Sequence, residues 1–262
     1  GPIAGILLAA LSFDPEVISP ARLLVRTPYT AAETFMARLW VLAEKGFLIQ
    51  NAPGEYRLAA IGRARTENLL REARATLANA DPLPTLDSER LAGLFDILVQ
   101  SALKTPPPPE PWSIRLSVKL LPPPRPALPY IEQAISCLYG YRDDAHLAAW
   151  QMTGLSATAL ETLTLLWRGE ADSLETICQQ LARRGHSPQV YSHALEDLRE
   201  LHCVEGSEAA LGLTPAGREF REGVEQNTDR FFFAPWAALS QAQRVEMGDL
   251  LTRLRDGLKQ KP

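Results

Sequence analysis

The feature that most constrains this chain is that it repeats itself. Leu39, Leu42, Glu44 and Leu48 recur as Leu195, Leu198, Glu200 and Val204 at an offset of 156, and Leu58-x-x-x-Gly62-Arg63 recurs as Leu213-x-x-x-Gly217-Arg218 at 155. Whatever one copy folds into, the other must fold into as well. Proline marks the join: Pro106 to Pro109, Pro111, Pro122 to Pro124, Pro126 and Pro129 leave little room for a helix or a central strand. The chain is expected to divide into residues 1–104, a proline-rich connector at 105–129, and residues 130–262.

Local patterning reads alike in the two copies. Ile3 to Leu11 and Pro20 to Val25 form short apolar helices, and Thr30-Ala-Ala-Glu33 has the spacing of a capping box that opens a longer helix. On that helix Phe35, Leu39 and Leu42, with Met36 and Ala43, recur at helical spacing and predict one buried face, and Gly46 ends it. Phe47 to Ile49 and Tyr56 to Leu58 read as two strands around a turn, followed by helices over 66–79 and 87–104. The second copy predicts helices over 130–150 and 157–167, a capped helix from Asp172-Ser-Leu-Glu175 to Arg184, and a helix from Ser187-Pro188 to His202. Tyr191, Leu195, Leu198 and Leu201 form its buried face. A hairpin over 203–213 and a helix from Pro215 complete the copy. Within the connector, Trp112 to Leu120 alternates apolar and polar residues and predicts a lone strand seeking a partner.

Composition excludes several classes. With 262 residues, 46% hydrophobic and 22% charged, the chain is neither disordered nor a disulfide-stapled miniprotein. Cys137, Cys178 and Cys203 are odd in number and lack CxxC spacing, which predicts a reducing compartment, the cytoplasm, and no thiolate zinc site. The apolar stretch Pro2 to Leu11 is about half of a membrane span, so no membrane role is expected. A net charge of −4 excludes a protein that coats nucleic acid by bulk charge. No Gly-rich phosphate loop, GxSxG or HExxH is present, so no enzyme activity and no cofactor are expected.

Each copy orders helix, helix, turn, helix, hairpin and helix. The hairpin exits, Tyr56-Arg-Leu-Ala-Ala-Ile-Gly-Arg63 and Leu211-Gly-Leu-Thr-Pro-Ala-Gly-Arg218, are similar to the "LTxxGR" wing exit of MarR-type regulators. The second copy matches through Leu213, Thr214, Gly217 and Arg218, whereas the first has Ala59 and Ala60 in place of Thr-Pro. Tyr141 to Trp150 and Thr228 to Trp236 also resemble segments of uncharacterised bacterial helix-turn-helix proteins, which assigns no activity. The resemblance implies a mainly α fold with small β wings, two winged-helix domains joined by the proline-rich connector. It also implies a regulator of transcription that binds double-stranded DNA, usually as a dimer, with the third helix of each domain in the major groove.

Charge distinguishes the two copies. Residues 151–230 carry seven arginines against thirteen acids, with Glu196, Asp197 and Glu200 on the candidate recognition helix. Residues 1–104 balance eleven basic against eleven acidic residues, and the basic ones cluster as Arg57, Arg63, Arg65, Arg71 and Arg74. The first copy is therefore expected to contact DNA through Thr30, Thr34 and Arg38, which share one helical stripe, and through Arg57, Arg63 and Arg65. The alternative is that these arginines balance Glu67 and Glu72 on a solvated helix. The second copy is expected to serve assembly or ligand sensing. Two rival functions stay open: a scaffold in which degenerate winged helices capture a partner, a basic one for the acidic copy, and a sensor of a small aromatic ligand.

For the sensor, Tyr139, Arg142, His146, Trp150 and Trp236 are the candidate pocket residues; the alternative is an aromatic core. Asp143 and His146 share a helical face, but a third ligand is missing, and a histidine bonded within a packed helix is the simpler reading than metal. Phe231 to Phe233 cannot all face one core. A homodimer is expected from the lone strand and from the apolar helix Leu91 to Leu103.

Overall fold

The computed structural model describes residues 2–105 and 112–259, so Pro106 to Pro109 and Pro111 of the expected connector lie outside the described residues. In chain order the first repeat supplies α1 (Pro2–Phe13), α2 (Pro20–Arg26), α3 (Ala32–Glu44), β1 (Leu48–Ala52), β2 (Glu55–Leu58), α4 (Ala60–Ala78) and α5 (Thr85–Lys104). A single helical turn, α6 (Ser113–Ser117), continues as a 3-10 turn over Val118–Leu120 and precedes the long α7 (Ala127–Gln151). The second repeat supplies α8 (Ala157–Arg168), α9 (Leu174–Gln180), α10 (Pro188–Glu200), β3 (Val204–Ser207), β4 (Ala210–Leu213), α11 (Pro215–Phe233) and α12 (Gln241–Lys259). The repeat holds at the level of helix length. α1 and α8 have 12 residues each, α2 and α9 have 7, α3 and α10 have 13, and α4 and α11 have 19.

Contacts group the chain differently from the linear division at 105–129. One unit, mainly helical among the described residues, comprises residues 1–16, 58–145 and 230–262; the other comprises 17–57 and 146–229 and contains both helix-helix-hairpin motifs.

The helical unit is organised on α5. Leu91, Leu94, Leu98 and Val99 are fully buried there among Ile114, Ile131, Ala134 and Met247, with α12 and the turn over Ala234–Ala238 packed against the same helix. Gly257 of α12 lies so close to the Pro82 carbonyl that an added Cβ would overlap it. Where alternation predicts a strand over 112–120, the chain turns helical. The reason lies 30 residues away: the buried carboxylate of Asp144 accepts the amides of Ser113 (2.7 Å) and Ile114 (3.1 Å), two of the donors that a helix start leaves free. Burial raises the Asp144 pKa against the lowering effect of those hydrogen bonds. Neither feature that predicts a homodimer is free to form one, since the strand is absent and the apolar residues of α5 fill the core. Phe232 meets Tyr141 and Trp236, while Phe233 stays half exposed, as three consecutive helical aromatics require.

In the other unit the hairpins follow from their turns. β1 and β2 form a two-stranded sheet, and Ile18 adds a third rung by exchanging both backbone hydrogen bonds with Tyr56 (2.8 and 2.9 Å). β3 and β4 pair antiparallel in the register Val204↔Leu213 through Ser207↔Ala210. The exit of the second hairpin explains its sequence. Thr214 Oγ1 accepts the Gly217 amide at 3.0 Å and caps α11, and Gly217 lies so close to the Cys203 carbonyl that a side chain would overlap it. Thr and Gly at this spacing let the helix leave flush against the wing. In the first copy the equivalent helix α4 begins after Ala59 with no side-chain cap.

Three further sequence expectations need correction. The Thr30 capping box does not form: α3 begins at Ala32 behind Ala31, with no side-chain cap. The helix predicted from Ser173 to Arg184 ends at Gln180, its capping box completed by Thr176 Oγ1, and a 3-10 turn covers Ala182–Arg184. Met36 and Leu201, expected on buried faces, are 51% and 50% exposed.

Candidate nucleic-acid interface

Each winged helix seats the helix before its hairpin on a small apolar base. α3 is seated by Phe35, Leu39 and Leu42, and α10 by Tyr191, Ala194, Leu195 and Leu198. What the two helices show outward is decided by the remaining positions. α10 exposes Gln189, His193, Glu196, Asp197 and Glu200, a surface that phosphate repels. α3 exposes Glu33, Met36, Ala37, Trp40, Val41 and Glu44, with Trp40 58% exposed and Ile49 of β1 60% exposed.

The sequence-derived stripe on α3 does not point outward as a whole. Thr30 is buried, and Thr34 is half-buried with Oγ1 3.4 Å from the Arg184 carbonyl oxygen. Arg38 is half-buried, its guanidinium 5.9 Å from the centre of the Phe35 ring. Arg57 on β2 and Arg65 on α4 are exposed. Arg63 is held by Asp14 at 2.6 Å within the helical unit, a bond that raises its pKa and already neutralises it. Arg71 is exposed, whereas Arg74 bonds the Leu120 carbonyl.

The N-terminal end of α3 meets the second winged helix. The Ala31 amide donates to the Arg184 carbonyl at 2.8 Å, and His186 Nε2 donates to the Tyr29 carbonyl at 3.1 Å, which fixes its proton on Nε2 because a carbonyl only accepts. Arg184 Nε bonds Glu161 at 2.8 Å, and its guanidinium lies 5.5 Å from the Tyr29 ring centre. Gly185, at φ +81°, abuts Thr34. Burial raises the Glu161 pKa, opposed chiefly by its bond to Arg184. No sequence signal marks this contact, because it joins residues 150 positions apart.

Tyr191 lies fully buried beside this contact, its ring 5.9 Å from that of His186, and its hydroxyl has no hydrogen-bond partner. Removing an unsatisfied hydroxyl recovers its desolvation cost, so Tyr191→Phe is expected to stabilise the protein by about 1 kcal/mol. Urea denaturation checks this, and a loss of stability would show that the hydroxyl is satisfied.

The candidate ligand residues divide between the two units. Tyr139 is 64% exposed, and Trp236 packs on Phe232 and Phe233 in the helical unit. His146 Nδ1 lies 3.1 Å from Thr228 Oγ1, and Trp150 stacks at 6.1 Å on Tyr29, both in the other unit; Arg142 is half-buried. Among the described residues no group of three His, Cys, Asp or Glu could hold a metal ion, and no helix is long and apolar enough to cross a membrane.

Comparison with known proteins places the chain. No curated protein matches it. A MarR family protein of Mycobacterium tuberculosis, known from its crystal structure, is similar at 20% identity over 50% of this chain and 94% of its own, with a TM-score of 0.36. The model of a Helix-turn-helix family matches residues 48–261, most of the chain and the whole of its second repeat, and the chain belongs to that family.

Proposed function

We propose that the protein is a non-enzymatic, DNA-binding regulator of transcription in which the first winged helix touches double-stranded DNA and the second serves assembly or ligand sensing. The observation that carries this reading is the difference in exposed charge between the two winged helices. The second winged helix exposes Glu196, Asp197 and Glu200 on α10 and Glu205 on β3, whereas the first exposes Arg57 on its wing and is followed by the exposed Arg65 and Arg71 of α4. Anionic DNA discriminates between such surfaces over a Debye length. Arg57 and Arg38 are the phosphate contacts of the first winged helix; Arg65 is exposed on α4, and Arg63, Thr30 and Thr34 are already engaged or buried.

Binding of random-sequence duplex DNA across a salt series tests this. Affinity should fall steeply with salt, and Arg57→Ala should weaken binding and flatten the log-log slope by about 1, the share of one phosphate contact. An Arg57→Ala protein with the wild-type slope would sink the assignment.

A second reading has its own observation. The outward face of α3 is apolar, through Met36, Trp40 and Val41, and large exposed apolar patches mark surfaces that dock proteins. On this reading the winged helices are protein-binding modules, duplex DNA is ignored even at low salt, and Trp40→Ala abolishes capture of a partner.

A further inference from the structure

We infer that the second winged helix closes the reading end of the first, an autoinhibitory contact built into the chain. In helix-turn-helix proteins the N-terminal residues of the recognition helix reach the base edges. Here that end of α3 is occupied. Thr30 is buried, the Ala31 amide is taken by the Arg184 carbonyl at 2.8 Å, and Thr34 lies against Arg184 and Gly185. The turn that occupies it is held from behind, by the Arg184–Glu161 ion pair, by the stacking of Arg184 on Tyr29, and by the His186–Tyr29 hydrogen bond. A glycine at 185 is required for this fit, since a side chain there would overlap Thr34 Oγ1 and adopt a strained positive φ.

The consequence is a division of labour on the first winged helix. Arg57 on the wing is exposed and reaches phosphate in the closed state, while the α3 end, whose Ala31 amide would otherwise bond phosphate, enters the groove only when the Arg184–His186 turn withdraws. The inference rests on the DNA-binding reading above and names how that site is regulated.

The geometry offers a switch to test it. A Cβ placed at 185 lies 3.5 Å from the Thr34 Cβ, at the short end of the separation a disulfide spans. In the double variant Thr34→Cys with Gly185→Cys, oxidation ties the contact shut, whereas the reduced form carries the side chain that forces it apart. The native Cys137 and Cys203 are buried and Cys178 is half-buried, and the Thr34→Cys single variant controls for them. The reduced double variant should bind random-sequence duplex DNA about tenfold more tightly than the oxidised form, the worth of one regained contact, with equal helical content by circular dichroism. Gly185→Val should match the reduced form. Equal affinity in both redox states, with wild-type binding still sensitive to Arg57→Ala, would overturn the autoinhibition and leave the DNA-binding reading standing. Absence of binding by wild type and by every opened variant would overturn both. Where the disulfide does not form, Gly185→Val against wild type decides, and equal affinity of the two would overturn the autoinhibition.

Discussion

Gly217→Val is expected to destabilise the protein by about 3 kcal/mol, the upper end of what overpacking costs, because the obstacle is a backbone carbonyl that has no rotamer to change. An added Cβ overlaps the Cys203 oxygen, so α11 must lift away from the β3–β4 hairpin. Lifting it also breaks the Thr214 cap on the Gly217 amide. Gly223, on the same helix, is the matched control. A Cβ there meets nothing within 4 Å, so Gly223→Ala is expected to stabilise the helix by about 0.5–1 kcal/mol through propensity alone. Opposite signs in urea denaturation confirm the account, and equal effects would mean that helix propensity, not close approach, governs both positions.

The second large effect is alkaline. Burial pushes the hydroxyls of Tyr141 and Tyr191 up to about 12, whereas an unfolded tyrosine ionises near pH 10. Between about pH 10 and 12 the unfolded chain has released both protons and the folded chain retains them. Stability therefore falls as pH rises through that window, by up to about 1.4 kcal/mol per pH unit for each tyrosine, and below it neither contributes. Urea midpoints measured from about pH 9 to 12 should show the decline, and Tyr191→Phe should remove about a third of its slope, because burial also raises the Tyr130 hydroxyl. A variant that declines as steeply as wild type would show that Tyr191 ionises freely in the folded state.

Local signals in this sequence are reliable where the cause is local. Phe35, Leu39 and Leu42 announce the buried side of α3, Ser173 announces the start of α9, and the paired spacing of Gly62 and Gly217 announces the duplication. Expectations fail where the deciding atom is distant in the chain. Trp112 to Leu120 alternates like a strand, yet it turns helical because Asp144 supplies the cap. Thr34 lies on an outward stripe by helical spacing, yet it is covered because a turn from the other copy lies on it. Met36 follows Phe35 into the apolar pattern, but it lies off the face that Phe35, Leu39 and Leu42 bury and stays exposed. The acidity of α10 needs no structure to be read; the apolar outward face of α3 does.

The duplication has a consequence for how this protein can change. In a homodimer every substitution appears in both subunits, so the two equivalent surfaces stay chemically identical. Two copies carried on one chain escape that constraint: the equivalent of an arginine-bearing wing can become acidic, and a turn of one copy can fit the helix end of the other, without either change being imposed twice. Tethering also makes the encounter between copies independent of protein concentration. The pairing of α3 with the Arg184–His186 turn therefore persists at any dilution, and only a change in the chain itself, or something bound to it, can shift its balance.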